Sequence, residues 1–149
     1  MECQKLLDSS EDWLKYAIRL HLCQESKESL MDLQKAALSE VRIQKFLAGV
    51  ADFHGSPVTN HKNPDLSIHK LLFLLDLGFG TDIPEIRKAV EEILNHRDEH
   101  GVYQSMTNIP KHFGGTGANA FSWCLCDAPL LLLALLKAGV EYPTKIKPG

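Results

Sequence analysis

An all-α fold is predicted on three observations. Alternating β-branched runs are absent, apolar residues recur at three- and four-residue steps, and one leucine-rich segment ending in glycine occurs twice. The two copies, Leu71 to Phe79 and Leu132 to Val140, match along their length. A proline follows each glycine, Pro84 after Gly78 and Pro143 after Gly139.

In chain order, Ser9 to Leu22 reads as a first helix capped by Ser9 or Ser10, with Leu14, Ala17, Ile18 and His21 on one face. Ser29 to Leu38 and Ser39 to Asp52 follow, with Ser39 as a cap for the latter; the two segments are also compatible with one long helix. Phe53 to Val58 breaks the pattern. Asn63-Pro64-Asp65 then starts a helix expected to reach Leu77, where Gly78 stops it by taking the left-handed conformation. Leu66, Ile68, Leu71, Leu72, Phe73, Leu74, Leu75 and Leu77 make this helix apolar nearly all round, so it is buried on most sides. Asp82 and Glu85 have the spacing of a capping box for the next helix, whose single stripe is Ile83, Ile86, Val90, Ile93 and Leu94. His96 and His100 are read as residues of that helix's C-terminal end. A buried helix followed by an amphipathic one is the unit of two-layered helical hairpins.

The 149 residues, 44% hydrophobic with a formal charge of −3, are read as a single all-helical domain, 1–149. The acidic balance provides no nucleic-acid footprint, and the leucine segments are too short or too interrupted to span a membrane. With no N-terminal signal pattern, and with Cys3, Cys23, Cys124 and Cys126 unevenly spread, the expectation is a cytoplasmic protein with reduced thiols.

The buried helix, Leu77-Gly78-Phe79, Thr81-Asp82-Ile83-Pro84-Glu85-Ile86, the outer helix ending Asn95-His96-Arg97-Asp98-Glu99-His100-Gly101, and the returning leucine helix together resemble the repeats of the terpenoid cyclase and protein prenyltransferase family. About half the chain carries the resemblance. It implies a partial ring of helical hairpins, an α/α toroid, with a central cavity that holds a hydrophobic or isoprenoid-like small molecule. A lyase or transferase activity is left open, since the aspartate-rich Asp-x-Asp-Asp signature is absent. In the resembled prenyltransferases an Asp, a Cys and a distant His hold zinc, and Cys124, Cys126, Asp127 and one of His69 or His112 could imitate that set. The Asp and Cys stand here in reversed order, and the expectation is no metal and no cofactor.

The most unusual stretch is Gly101 to Ser122, some twenty residues without clear periodicity. Its glycines lack the spacing and the lysine of a phosphate loop and are read as a backbone that turns tightly. Asp127 is either the N-cap of the last helix, with Ala128 and Pro129 behind it, or points into the interior from a helix that begins earlier, near Asn119 or Ser122. The expected catalytic residues are His112 and Asp127, as proton donor or base. Tyr103, Phe113, Trp123 and His69 are expected to line the ligand cavity. The competing expectation is a non-catalytic interaction module, in which an incomplete ring offers inner-helix leucines to a second copy or to a continuation of the same chain.

Overall fold

The protein is seen in a computed structural model that describes residues 2–9 and 11–141. Seven α-helices are present among them: α1 (Glu2–Ser9), α2 (Asp12–His21), α3 (Met31–Ser39), α4 (Val41–Ala51), α5 (Ser67–Asp76), α6 (Pro84–Asn95) and α7 (Ala128–Lys137). Two strands, β1 (Ser105–Asn108) and β2 (Asn119–Ser122), pair as an antiparallel sheet between α6 and α7. The all-α expectation, with its partial ring of toroid type, is therefore corrected: the fold is mixed, a helical body carrying a β-hairpin.

The helical body is organised by α5. Leu71 and Leu74 have no exposure and Ile68 and Leu75 almost none, because α4 packs on one side of the helix and α7 on another. Fully burying a leucine is worth about 1.5–3 kcal/mol, so this one helix anchors its neighbours. The repeated leucine segments end in the same way. The amide of Gly78 donates to the Leu75 carbonyl and that of Phe79 to Leu74; likewise Gly139 donates to Leu136 and Val140 to Leu135. Both glycines have positive φ, +97° and +78°, and each closes its helix with a Schellman turn. Lys137 Nζ lies 2.5 Å from Asp76 Oδ1, tying the ends of the paired helices together. Pro143 lies outside the described residues.

The outer elements start and stop differently from expectation, for local reasons. The first helical segment ends at Ser9, Ser10 lies outside the described residues, and α2 begins at Asp12, after an extended Glu11. The Glu40 carboxylate accepts the Trp13 amide at 3.2 Å and so satisfies a donor in the first turn of α2. Tyr16 rather than His21 is the buried anchor of α2: it stacks on Phe79 at 5.2 Å, while His21 is exposed. The helices α3 and α4 do not merge, because Glu40 is extended (ψ 137°), and the Ser39 hydroxyl bonds back to the Lys35 carbonyl instead of capping. The Asn63 side chain accepts the Asp65 amide in an Asx-turn, which delays the start of α5 to Ser67. Pro84 opens α6 with Ile83 at the N-cap, so Asp82 and Glu85 form no capping box. Of the expected stripe of α6, Ile83, Ile86, Val90 and Ile93 are buried and Leu94 is half-buried, with Ala89 added to the buried face.

The hairpin occupies the stretch expected to be an irregular loop. Its register pairs Ser105 with Ser122, Met106 with Phe121, Thr107 with Ala120 and Asn108 with Asn119. Thr107 and Ser122 share a 2.6 Å hydroxyl hydrogen bond, and Asn108 donates to the Asn119 side chain at 2.8 Å. The glycine run makes the tight turn: a side chain at Gly115 would lie 2.0 Å from the Ile109 carbonyl oxygen. Val58 adds to the free edge of β1 through bonds to Met106 and Asn108.

The two Schellman glycines separate conformational strain from crowding. A Cβ at Gly78 would stand 2.2 Å from Leu20 Cδ2, whereas one at Gly139 meets nothing within 4 Å. Gly139→Ala is expected to cost about 1–2 kcal/mol from its backbone conformation alone, and Gly78→Ala about 1–3 kcal/mol more through overpacking. Urea denaturation measures both; equal losses would show that the Leu20 contact carries no cost.

Candidate functional site

Two separate pieces of backbone build the site. The first is the loop after Val58. Because Val58 is bonded to β1, the residues that follow it start beside the hairpin, and Asn60 then turns them, accepting the Lys62 amide through Oδ1 and the Asn63 amide through its carbonyl. His61 sits within this turn. The second is the exit of β2. After Ser122 the chain turns into α7, with the Cys124 carbonyl accepting the amides of Asp127 and Ala128. That turn brings Cys124 and Asp127 to the same side.

The three side chains form a compact cluster, with one donor atom of each within 4.8 Å of the others. His61 Nδ1 is 2.8 Å from Asp127 Oδ1, and His61 Nε2 is 3.8 Å from Cys124 Sγ. The Asp127 side chain is 3% exposed and that of His61 44%, so the carboxylate is internal and the imidazole reaches solvent. A carboxylate only accepts, which puts the hydrogen on Nδ1 and turns the Nε2 lone pair of a neutral ring toward the thiol. Asp127 Oδ2 is buried with no hydrogen-bond partner, a costly arrangement for a carboxylate oxygen. Burial pushes the Cys124 thiol above its ordinary value and the Asp127 carboxylate adds to that, while the backbone amides of Asp127 and Cys126 pull the other way. The resting sulfur is therefore a protonated thiol beside a base.

Cys124 is also part of the wall of a cavity of about 380 Å³, with Tyr103, Trp123, Leu125, Pro129 and Leu132 among its other lining residues. The lining is mainly apolar. Tyr103 is held rigidly: it is buried, the Arg97 guanidinium lies 4.4 Å from its ring centroid, and Arg97 also donates to its hydroxyl. His100, in the turn beyond α6, contributes to the rim.

Of the residues expected from sequence, Tyr103 and Trp123 share this cavity, and Asp127 stands next to it in the helix turn. The last helix does not begin near Asn119 or Ser122, which belong to β2. Asp127 is the N-cap residue of α7 by position, but its side chain makes no capping bond and goes to His61. His112 and Phe113 are elsewhere, on the exposed 3₁₀ turn Lys111–Phe113, where Phe113 is 76% exposed. His69 is half-buried on α5. The histidine facing Asp127 is thus His61 rather than His112. His61 carried no local signal, since its polar neighbours mark only a turn; the i, i+3 pairing of Cys124 and Asp127 at a helix start was the readable half. Cys126 is exposed and outside the cluster. The His61, Cys124 and Asp127 donors, one nitrogen, one sulfur and one oxygen, lie within 4.8 Å of one another, so the same set could close on a metal ion.

No family model, no curated protein and no solved structure matches the chain. No helix among the described residues is long and apolar enough to cross a membrane.

The raised Cys124 pKa has a direct readout. Only the thiolate alkylates, so the rate of iodoacetamide labelling at Cys124, followed by peptide mass spectrometry, should climb through a midpoint above about 8.5, the value of an ordinary thiol. A midpoint below that would mean a resting thiolate–imidazolium pair.

Proposed function

We propose that the protein is a thiol-dependent acyl hydrolase or transferase for a small molecule with an apolar tail, fatty or isoprenoid-like, held in the cavity beside Cys124. The observation that carries the reading is the contact of His61 with both Asp127 and Cys124, on the wall of a mainly apolar cavity. Nucleophile, base and orienting carboxylate in this sequence are the logic of a catalytic triad, recognised by geometry and roles. In the proposed reaction His61 Nε2 takes the thiol proton as Sγ attacks the acyl carbon. The tetrahedral intermediate collapses, and the imidazolium returns the proton to the departing alcohol or thiol. Water then attacks the thioester, its proton passing through His61 back to Sγ, and a carboxylic acid leaves. Asp127 keeps the imidazole in the required tautomer and stabilises the imidazolium. Tyr103 and Trp123 grip the tail. A reducing cytoplasmic setting is part of the proposal, since it keeps Cys124 as a thiol.

Hydrolysis of p-nitrophenyl esters of graded chain length tests the reading. Cys124→Ala is expected to abolish turnover and His61→Ala to lower it by roughly 10²–10⁴-fold. Asp127→Asn is expected to lower it to a similar degree while leaving stability within about 1 kcal/mol, because the native carboxylate has an orphaned oxygen. Absence of turnover at every chain length, or turnover that survives Cys124→Ala, overturns the proposal.

A second reading, self-association, is favoured by the apolar side chains that α7 and the turn before it leave in solvent: Leu125 is 85% exposed, Leu136 53% and Leu133 40%. Leucines left in solvent are costly for a monomer, so this end of the chain is proposed to meet a second copy. Sedimentation velocity should show a dimer that the Leu133→Glu, Leu136→Glu double variant dissociates; a monomer at every concentration removes the reading.

A further inference from the structure

We infer that His54, Glu92 and His96 form a second, independent site, a zinc site with two imidazole ligands and one carboxylate.

One ligand atom from each of the three residues lies within 4.8 Å of the others. A tetrahedral zinc with bonds of about 2.0–2.2 Å places its ligand atoms about 3.3 Å apart, so rotamer-scale movements complete the set. The residues converge from two elements. Glu92 lies one helical turn before His96, which is the C-cap of α6, and His54 comes from the turn that follows α4.

Both histidines are prepared for a metal. His96 Nδ1 lies 2.8 Å from the Glu92 backbone carbonyl, which can only accept. Nδ1 therefore carries the hydrogen and Nε2 is left with its lone pair, the tautomer that ligating histidines adopt when a carbonyl holds their other nitrogen. His54 Nε2 is buried and has no hydrogen-bond partner. An orphaned imidazole nitrogen in the interior of a folded chain calls for an explanation, and a bound ion supplies one.

The surroundings fix the rings. His96 stacks on Phe121 with 3.7 Å between centroids, and His54 stands edge-on to Phe53, His96 and Phe121 at 4.9–5.0 Å. Two histidines and one carboxylate are three protein ligands, which leaves a fourth zinc position for water or an exchangeable ligand. The charge suits a divalent cation, with one anionic ligand and two neutral ones. The site shares no residue with the Cys124 relay and stands whether or not that relay turns over substrate.

The test must silence the other donor set, so it uses Cys124→Ala as the parent. Protein stripped by chelator dialysis is titrated with zinc chloride by calorimetry at pH 7. One equivalent is expected to bind to the parent. That equivalent is expected to be lost, or weakened beyond the 10–100-fold cost of outer-shell changes, in His54→Phe and separately in Glu92→Gln, both folded by circular dichroism. His54→Phe should leave the metal-free protein no less stable, because it removes an unpartnered polar atom. Cobalt(II) bound to the parent should show visible d–d bands without a thiolate charge-transfer band. Absence of a saturable equivalent in the parent, or an equivalent that survives both substitutions, overturns the inference.

Discussion

The burial of α5 is the constraint on which the rest of the molecule depends. A helix apolar nearly all round cannot face water on any side, so α4 and α7 must lie along it and the chain must leave it abruptly. Gly78 provides that exit, since its φ of +97° is inaccessible to most residues and its missing side chain lets Leu20 approach. Tyr16 then stacks on Phe79 immediately beyond the turn, which attaches α2 to the same point. The packing of α5 thereby fixes where α7 runs, and with it where the turn holding Cys124 and Asp127 must stand.

The hairpin converts that helical frame into a site. Between α6 and α7 the chain could have crossed as a disordered loop, but β1 and β2 pair, and Val58 is drawn onto the free edge of β1. A strand edge is a position of definite register, so the loop carrying His61 is located relative to the turn carrying Cys124. Distant segments thus meet at 2.8 and 3.8 Å through backbone hydrogen bonds rather than through side-chain packing. The hairpin also delivers Phe121 onto the ring of His96.

Both polar clusters are placed against the stability of the fold. Asp127 is buried with one oxygen unpartnered, and His54 carries an orphaned ring nitrogen. Replacing either by a neutral or apolar group of similar shape would relieve a desolvation cost. Sites whose side chains oppose stability are those where a ligand, a proton in transit or an ion is the missing partner.

The helical part of the molecule was legible in the sequence because helices that bury one face announce it by spacing. The stripe of α6, the apolar length of α5 and the twin glycine stops all read through. The helix starts were harder, because Asn63, Asp82 and Ser39 are good caps by type, yet Pro84 and the extended Glu40 set the actual boundaries. The strands could not be read at all. Each is four residues long, and the inward positions of β1 are the polar Ser105 and Thr107, the latter bonded to the Ser122 hydroxyl and the Ala120 carbonyl, so no alternation of apolar and polar marks them. Among the candidate residues, Tyr103, Trp123 and Asp127 were identifiable from type and neighbourhood. The partnership of His61 with Asp127, like that of His54 with His96, joins positions far apart in sequence. By itself, then, the sequence determined the leucine helices and their glycine ends, all properties of local spacing. Only the tertiary structure decided which histidine meets which acid, because that choice depends on a hairpin register made of main-chain hydrogen bonds, to which side-chain identity contributes almost nothing.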